Sequence, residues 1–369
     1  MLKKLLCLVL ASVLLFTFAA CGNDNSNSSS NDESQNSSEP TNSSEPTTSS
    51  NTSSNTSSNT SSNTSSNTSL NTSQATKIEE PQFAVHTEDV YTHQVVRYEL
   101  NSQCKGYYFT PKAKGNYPTI IMIHGQGSVK SFKERLLSNF NNWVKLGYIP
   151  PMVVVIPEVL DYTGGGSNID DFQYYIYEAY PNRFNALLKS IERGTLTSKI
   201  DTSKKPFVAG FSMGGMAALH AGADYNTRID KVGALSPGKS FYLGDGNWGF
   251  YNYAKDIHFS TAPGAHVYLS AGRAEKDFSN IKGAFVSTIN TYEKGIKVNN
   301  SAILTKFIAP ESWGEHGFQL AQMEIFMFLH LAFYDALPTN KFVETACAQP
   351  WPSAAQVPKV VTDPAKEHG

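Results

Sequence analysis

One short stretch constrains the fold of this chain more than any other. Residues 206–211 form an apolar run with strand character, and residues 214–223 form a helical run of small residues. Between them lies Gly210-Phe211-Ser212-Met213-Gly214, followed by Gly215. A chain that turns from a buried strand into a buried helix within two residues needs glycine on both sides of the corner, because strand and helix approach too closely for side chains. The corner residue is forced into a strained backbone conformation. Its side chain projects above the sheet at the positive end of the helix. A serine held there is presented, rigid and close to backbone N–H groups.

Around this corner the chain alternates between the two periods. Residues 95–100 and 105–110 read as a leading antiparallel pair. Residues 119–124 and 152–156 are continuous apolar runs, as expected of strands covered on both faces. Residues 132–146 and 181–193 are helical in period, the second with Pro181 in its first turn and Gly194 at its end. Residues 231–235, 266–270 and 302–308 supply further strands, and residues 318–334 a last long helix. The order predicts an α/β fold, a mostly parallel twisted sheet with helices on both faces. Sites in such sheets lie at the carboxyl ends of the strands.

Not all 369 residues belong to that fold. Residues 1–20 carry Lys3 and Lys4 before a short apolar run, a secretion leader too short to span a bilayer comfortably. Phe18-Ala19-Ala20-Cys21 resembles the lipobox of bacterial lipoproteins, with Phe18 where leucine is commoner. That resemblance implies a diacylglyceryl group on Cys21 and anchorage on the extracellular face of the bacterial cell membrane. Ordinary secretion without lipid is the alternative. Residues 21–76 are nearly all Ser, Asn and Thr, with almost nothing to bury, and read as a disordered linker. The folded domain is expected over residues 77–348, and the proline-rich residues 349–369 are expected to be a disordered tail.

Of four cysteines, Cys7 leaves with the leader and Cys21 carries the lipid. Cys104 and Cys347 either form a disulfide or pack as two separate buried thiols. Their spacing fits no zinc site. Formal charge is −2 with no strongly basic patch, so nucleic-acid binding has no electrostatic support.

The chemistry-bearing residues follow the strand order. Ser212 is the candidate nucleophile. His124-Gly125-Gln126-Gly127 follows the strand at 119–123, where acyl transfer needs an N–H donor aimed at a developing oxyanion. The backbone N–H groups of Gln126 and Met213 are the expected pair, with His124 structural. Of nine histidines, His316 stands best as the base, in Trp313-Gly314-Glu315-His316-Gly317-Phe318 after the last strand. His220 and His330 fall inside helices. The orienting acid belongs after the strand at 266–270. Glu275 lies three residues past Gly272 and is preferred, with Asp277 as the alternative. Residues 238–259 are dense in aromatic side chains and form either a substrate-binding cap or loop-anchoring core. Trp248 and Tyr251 there, and Trp313 beside His316, are candidate pocket residues.

The His-Gly-Gln-Gly loop, the Gly-Phe-Ser-Met-Gly-Gly corner, Leu235-Ser236-Pro237 and Glu315-His316-Gly317-Phe318 together resemble the esterase D-type family of the α/β-hydrolase superfamily. That family includes bacterial feruloyl and related carbohydrate esterases. The resemblance covers most of residues 107–335. It implies hydrolysis of acyl or feruloyl esters on plant-wall polysaccharide, with no metal or organic cofactor. Ser212, His316, Gln126 and Met213 match the family pattern. The acid departs from it, since aspartate is frequent where Glu275 stands. Two other readings remain: an acyltransferase on the same scaffold, and a non-catalytic surface protein for carbohydrate binding or adhesion.

Overall fold

The computed structural model describes residues 82–125, 129–159, 181–238, 241–242, 248–249, 258–259, 266–277, 280–295, 297–298, 303–348 and 359–363. The expected leader, Cys21, the linker, Gln126 and Tyr251 lie outside these residues.

The main sheet opens with β1 (Gln94–Asn101) and β2 (Cys104–Phe109), followed by β3 (Thr119–Ile123), helix α1 (Val129–Lys145) and β4 (Val153–Pro157). Next come α2 (Phe184–Glu192), β5 (Phe207–Phe211), α3 (Met213–Asp224) and β6 (Lys231–Leu235). Two-residue strands β7 (Phe241–Tyr242) and β8 (Trp248–Gly249) pair antiparallel, and β9 (His258–Phe259) pairs in parallel with β11 (Lys297–Val298). β10 (His266–Gly272), α4 (Ala284–Gly295), β12 (Ile303–Ala309), α5 (Phe318–Tyr334), α6 (Asn340–Ala346) and β13 (Lys359–Val361) complete the described elements. Their order in the sheet is β12-β10-β6-β5-β3-β4-β2-β1-β13. From β4 to β12 every pairing is parallel, while β2 runs antiparallel to both β1 and β4.

The central strands are buried along their whole length because helices cover both faces. Thr119-Ile120-Ile121-Met122-Ile123 shows the two-residue period at work. Ile121 and Ile123 enter a core with residues of α2, α3 and α4. Ile120 and Met122 enter the opposite core with residues of α1, α5 and α6. α5 is buried continuously from Leu320 to Ala332, which suits a helix that is apolar nearly all round. The expected α/β architecture is the observed one.

At the ends, one expectation changes and one open alternative is resolved. Residues 349–369 were expected to be disordered, but Lys359–Val361 adds a parallel edge strand to β1, with Val361 buried. Lys359-Val360-Val361-Thr362 is a local β-branched run inside a proline-rich segment, and it satisfies backbone groups on the open edge of β1. Cys104 and Cys347 are free buried thiols, one in each core, so the disulfide is not formed. Burial raises the Cys347 thiol well above its usual range.

Candidate active site

The turn from β5 into α3 has the geometry its glycines require. Ser212 sits at φ 60°, ψ −122°. Its N–H donates to the Leu235 carbonyl at 2.9 Å, and its own carbonyl accepts from Gly215 and Met216 at 3.0 and 3.2 Å. These bonds hold the strained residue between β6 and the first turn of α3. A Cβ on Gly214 would overlap the carbonyl oxygens of Ile123 and His124, and one on Gly210 would overlap Gly214 itself. Met213 opens α3, where an N–H has no acceptor within its own helix.

The loop after β3 leans on this corner. A Cβ on Gly125 would lie 3.0 Å from the Phe211 oxygen and 3.1 Å from the Ser212 Cβ. His124 is buried beneath the loop. Its Nδ1 bonds to the Gly125 oxygen at 2.7 Å and its Nε2 accepts from Val159 N–H at 3.2 Å, which fixes the proton on Nδ1. Burial lowers its pKa to about 4, so the ring is a neutral structural brace.

His316 follows β12 and a short 3₁₀ turn, Glu311–Trp313. Its ring is stacked between two phenyl rings, Phe211 at 4.6 Å and Phe285 at 4.3 Å between centroids. Phe211 is the residue preceding Ser212, so the imidazole lies beside the strained corner. His316 Nδ1 is 2.6 Å from Glu275 Oε1. An ionised carboxylate only accepts, so Nδ1 carries the proton and Nε2 keeps its lone pair in the neutral ring.

Glu275 is fully buried in the loop after β10. Its Oε2 accepts from the Gly272 N–H at 2.5 Å and the Ser236 hydroxyl at 2.8 Å. A buried carboxylate without such donors would be costly. Asp277 faces elsewhere: its Oδ1 accepts from the Ile281 N–H at 2.9 Å and closes a local turn. Surface ion pairs Lys276–Glu315 and Lys282–Glu311, both 2.9 Å, join the Glu275 and His316 loops. Exposed pairs of this kind contribute little stability.

Two residues enter the site that were given no role in the sequence reading. Ser236, at φ 41° just after β6, directs its hydroxyl toward Glu275 and toward a second carboxyl, Glu324 of α5, at 3.0 and 3.1 Å. Glu324 is fully buried. Burial, then the charge of Glu275, pushes it well above the usual carboxylate range. The available signal was a lone carboxylate in the predominantly apolar sequence of α5.

The proposed pocket aromatics divide. Trp313 is fully buried in the core, tilted against Phe307 at 5.5 Å between centroids, with Nε1 donating to Glu344 at 3.1 Å. It is a packing residue and not a pocket wall, because its chain segment turns the ring inward under α6. Trp248 lies on β8, described in its backbone only, and Tyr251 lies outside the described residues.

A sheet of this order, with a strained serine between its central strand and the following helix, defines the α/β-hydrolase fold. The family model described as "Putative esterase" matches residues 97–327, which include Ser212, Glu275 and His316. The chain belongs to that esterase family. Curated proteins gave no match. Among solved structures the chain is similar to a CE1 ferulic acid esterase from Anaeromyces mucronatus in complex with ferulic acid. That likeness has 16% identity and TM-score 0.50, covering 68% of this chain and 93% of that one. The same esterase without substrate gives 18% identity and TM-score 0.49, covering 68% and 94%. The enterobactin esterase from Shigella flexneri gives 15% and 0.46, covering 67% and 60%. At these identities the likeness concerns the fold.

Proposed function

We propose that this protein is a serine carboxylic ester hydrolase in which Ser212 is the nucleophile, His316 the general base and Glu275 the orienting acid. The observation that carries the reading is the chain Glu275–His316 at 2.6 Å, with the imidazole stacked on the neighbour of a serine at φ 60°. Glu275 holds the Nδ1–H tautomer, which leaves Nε2 as the proton acceptor. His316 takes the Ser212 proton as the oxygen attacks the ester carbonyl, and backbone N–H groups of Met213 and Gln126 stabilise the oxyanion. The alcohol leaves with that proton, and water attacks the acyl-enzyme by the same route.

The family resemblance directs the substrate proposal to acyl or feruloyl esters of plant-wall polysaccharide. The Cys21 sequence directs the location proposal to a lipid anchor on the extracellular face of the bacterial membrane. The test is Ser212→Ala assayed on a small aryl acetate and on feruloylated and acetylated xylan. The expected result is loss of turnover and of fluorophosphonate labelling, with thermal unfolding retained. Undiminished turnover in a folded variant overturns the reading.

A further inference from the structure

Glu275 and Glu324 share one hydroxyl. Ser236 Oγ lies 2.8 Å from Glu275 Oε2 and 3.0 and 3.1 Å from the two Glu324 oxygens, and all three residues are fully buried. A serine hydroxyl has a single proton to donate, and an ionised carboxylate has none. With both acids ionised, Ser236 satisfies only one of them and two negative charges face each other away from water. With Glu324 protonated, every group is matched in one direction: Glu324 O–H donates to Ser236 Oγ, and Ser236 O–H donates to Glu275. Gly272 N–H and His316 Nδ1–H complete the set of donors to Glu275.

We propose that Glu324 is a positioning residue that works as a neutral acid, donating to Ser236 so that the Ser236 proton is committed to the carboxylate holding His316. It touches no substrate, being enclosed in α5 behind Glu275. Burial and the nearby Glu275 carboxylate both favour the protonated form of Glu324, against hydrogen bonds from Ser270 and Ser236 that favour the ionised one. Among the described residues, the other titratable group set against Glu324 is Tyr268 of β10, whose phenol burial raises. The non-titrating Ser270 hydroxyl lies beside it. Ser236 adopts a positive φ at this position, and that backbone strain is consistent with a hydroxyl held for a purpose.

This inference rests on the proposed roles of Glu275 and His316, and its test separates the two. Infrared difference spectra of wild type against Glu324→Gln at about pH 7 report protonation without any turnover. The expected result is a protonated-carboxyl carbonyl band present only in wild type; its absence overturns the proposal whatever the activity. Turnover of an aryl acetate then reports positioning. Glu324→Leu is expected to lower kcat roughly tenfold with KM unchanged, as for a misplaced catalytic group. Glu324→Gln, whose amide still donates to Ser236, is expected to recover most of that loss. Wild-type kcat in Glu324→Leu, or equal impairment in both variants, overturns it. Should Glu324→Leu not fold, the infrared band and the Glu324→Gln kcat still decide. Loss of the esterase reading itself is recognised separately, by Ser212→Ala retaining turnover.

Discussion

Glu275 and Asp277 share a loop, the spacing from Gly272 favours Glu275, and their surroundings set them apart. Glu275 is fully buried with three donors, one of them the His316 ring; Asp277 closes a turn on Ile281. Replacing Glu275 by Gln offers an NH₂ group to His316 Nδ1 and favours the wrong tautomer. Steady-state kinetics of Glu275→Gln are expected to show kcat lowered on the order of 10⁴-fold, the cost of the comparable change in serine proteases. Asp277→Asn is expected to stay within about twofold, since its turn bond survives with an amide oxygen. A reversed pair of results would transfer the acid's role to Asp277. The histidine itself is held by flat contacts as well as by charge, because Phe211 and Phe285 leave the ring little freedom to tilt.

At the scale of elements, the β5–α3 corner shows why short sequence patterns were informative. Glycine at 210 and 214 is required by the meeting of three backbone segments, β3, β5 and α3, within hydrogen-bonding distance. Gly214→Ala places a Cβ on the carbonyl oxygens of Ile123 and His124, neither of which is a flexible side-chain tip. The variant is expected to lose about 3 kcal/mol of stability, at the high end for overpacking a core. A denaturant midpoint equal to that of wild type would contradict the described corner. The strands and most helices were legible because period-2 and period-3.6 patterns are local. α4, α6, β13 and the two-residue strands were not, since α4 has mixed flanking sequence and the others are too short to show a period.

For the molecule as a whole, buried histidines outside the proposed machinery contribute a pH dependence of stability. Burial lowers both His124 and His220 to about 4 from an ordinary value of 6.5. Above pH 6.5 both states hold these rings neutral, so the two rings cost the native fold nothing there. As pH falls from 6.5 toward 4, the unfolded chain takes up protons that the folded chain refuses, so stability drops. Each ring contributes up to roughly 3 kcal/mol of loss at the bottom of that range. Denaturant unfolding followed across this window is expected to show a falling midpoint, and His220→Asn to flatten the fall. A pH slope that His220→Asn leaves unchanged would mean that this ring is solvated or already charged.

The sequence alone determined the parts of this protein that depend on near neighbours. These are the alternation of strand and helix, the glycine-flanked serine, the loop after β3, and the position of His316 before the last long helix. Each follows from steric limits or side-chain periodicity acting over a few residues. Tertiary structure alone decided how Ser236 joins Glu275 to Glu324, which aromatic rings enclose the imidazole, and where β13 pairs, and it brings the Glu275 favoured by spacing onto His316. Those contacts join residues 41, 39 and 88 positions apart. They depend on the order in which the strands assemble, and no local pattern encodes that order.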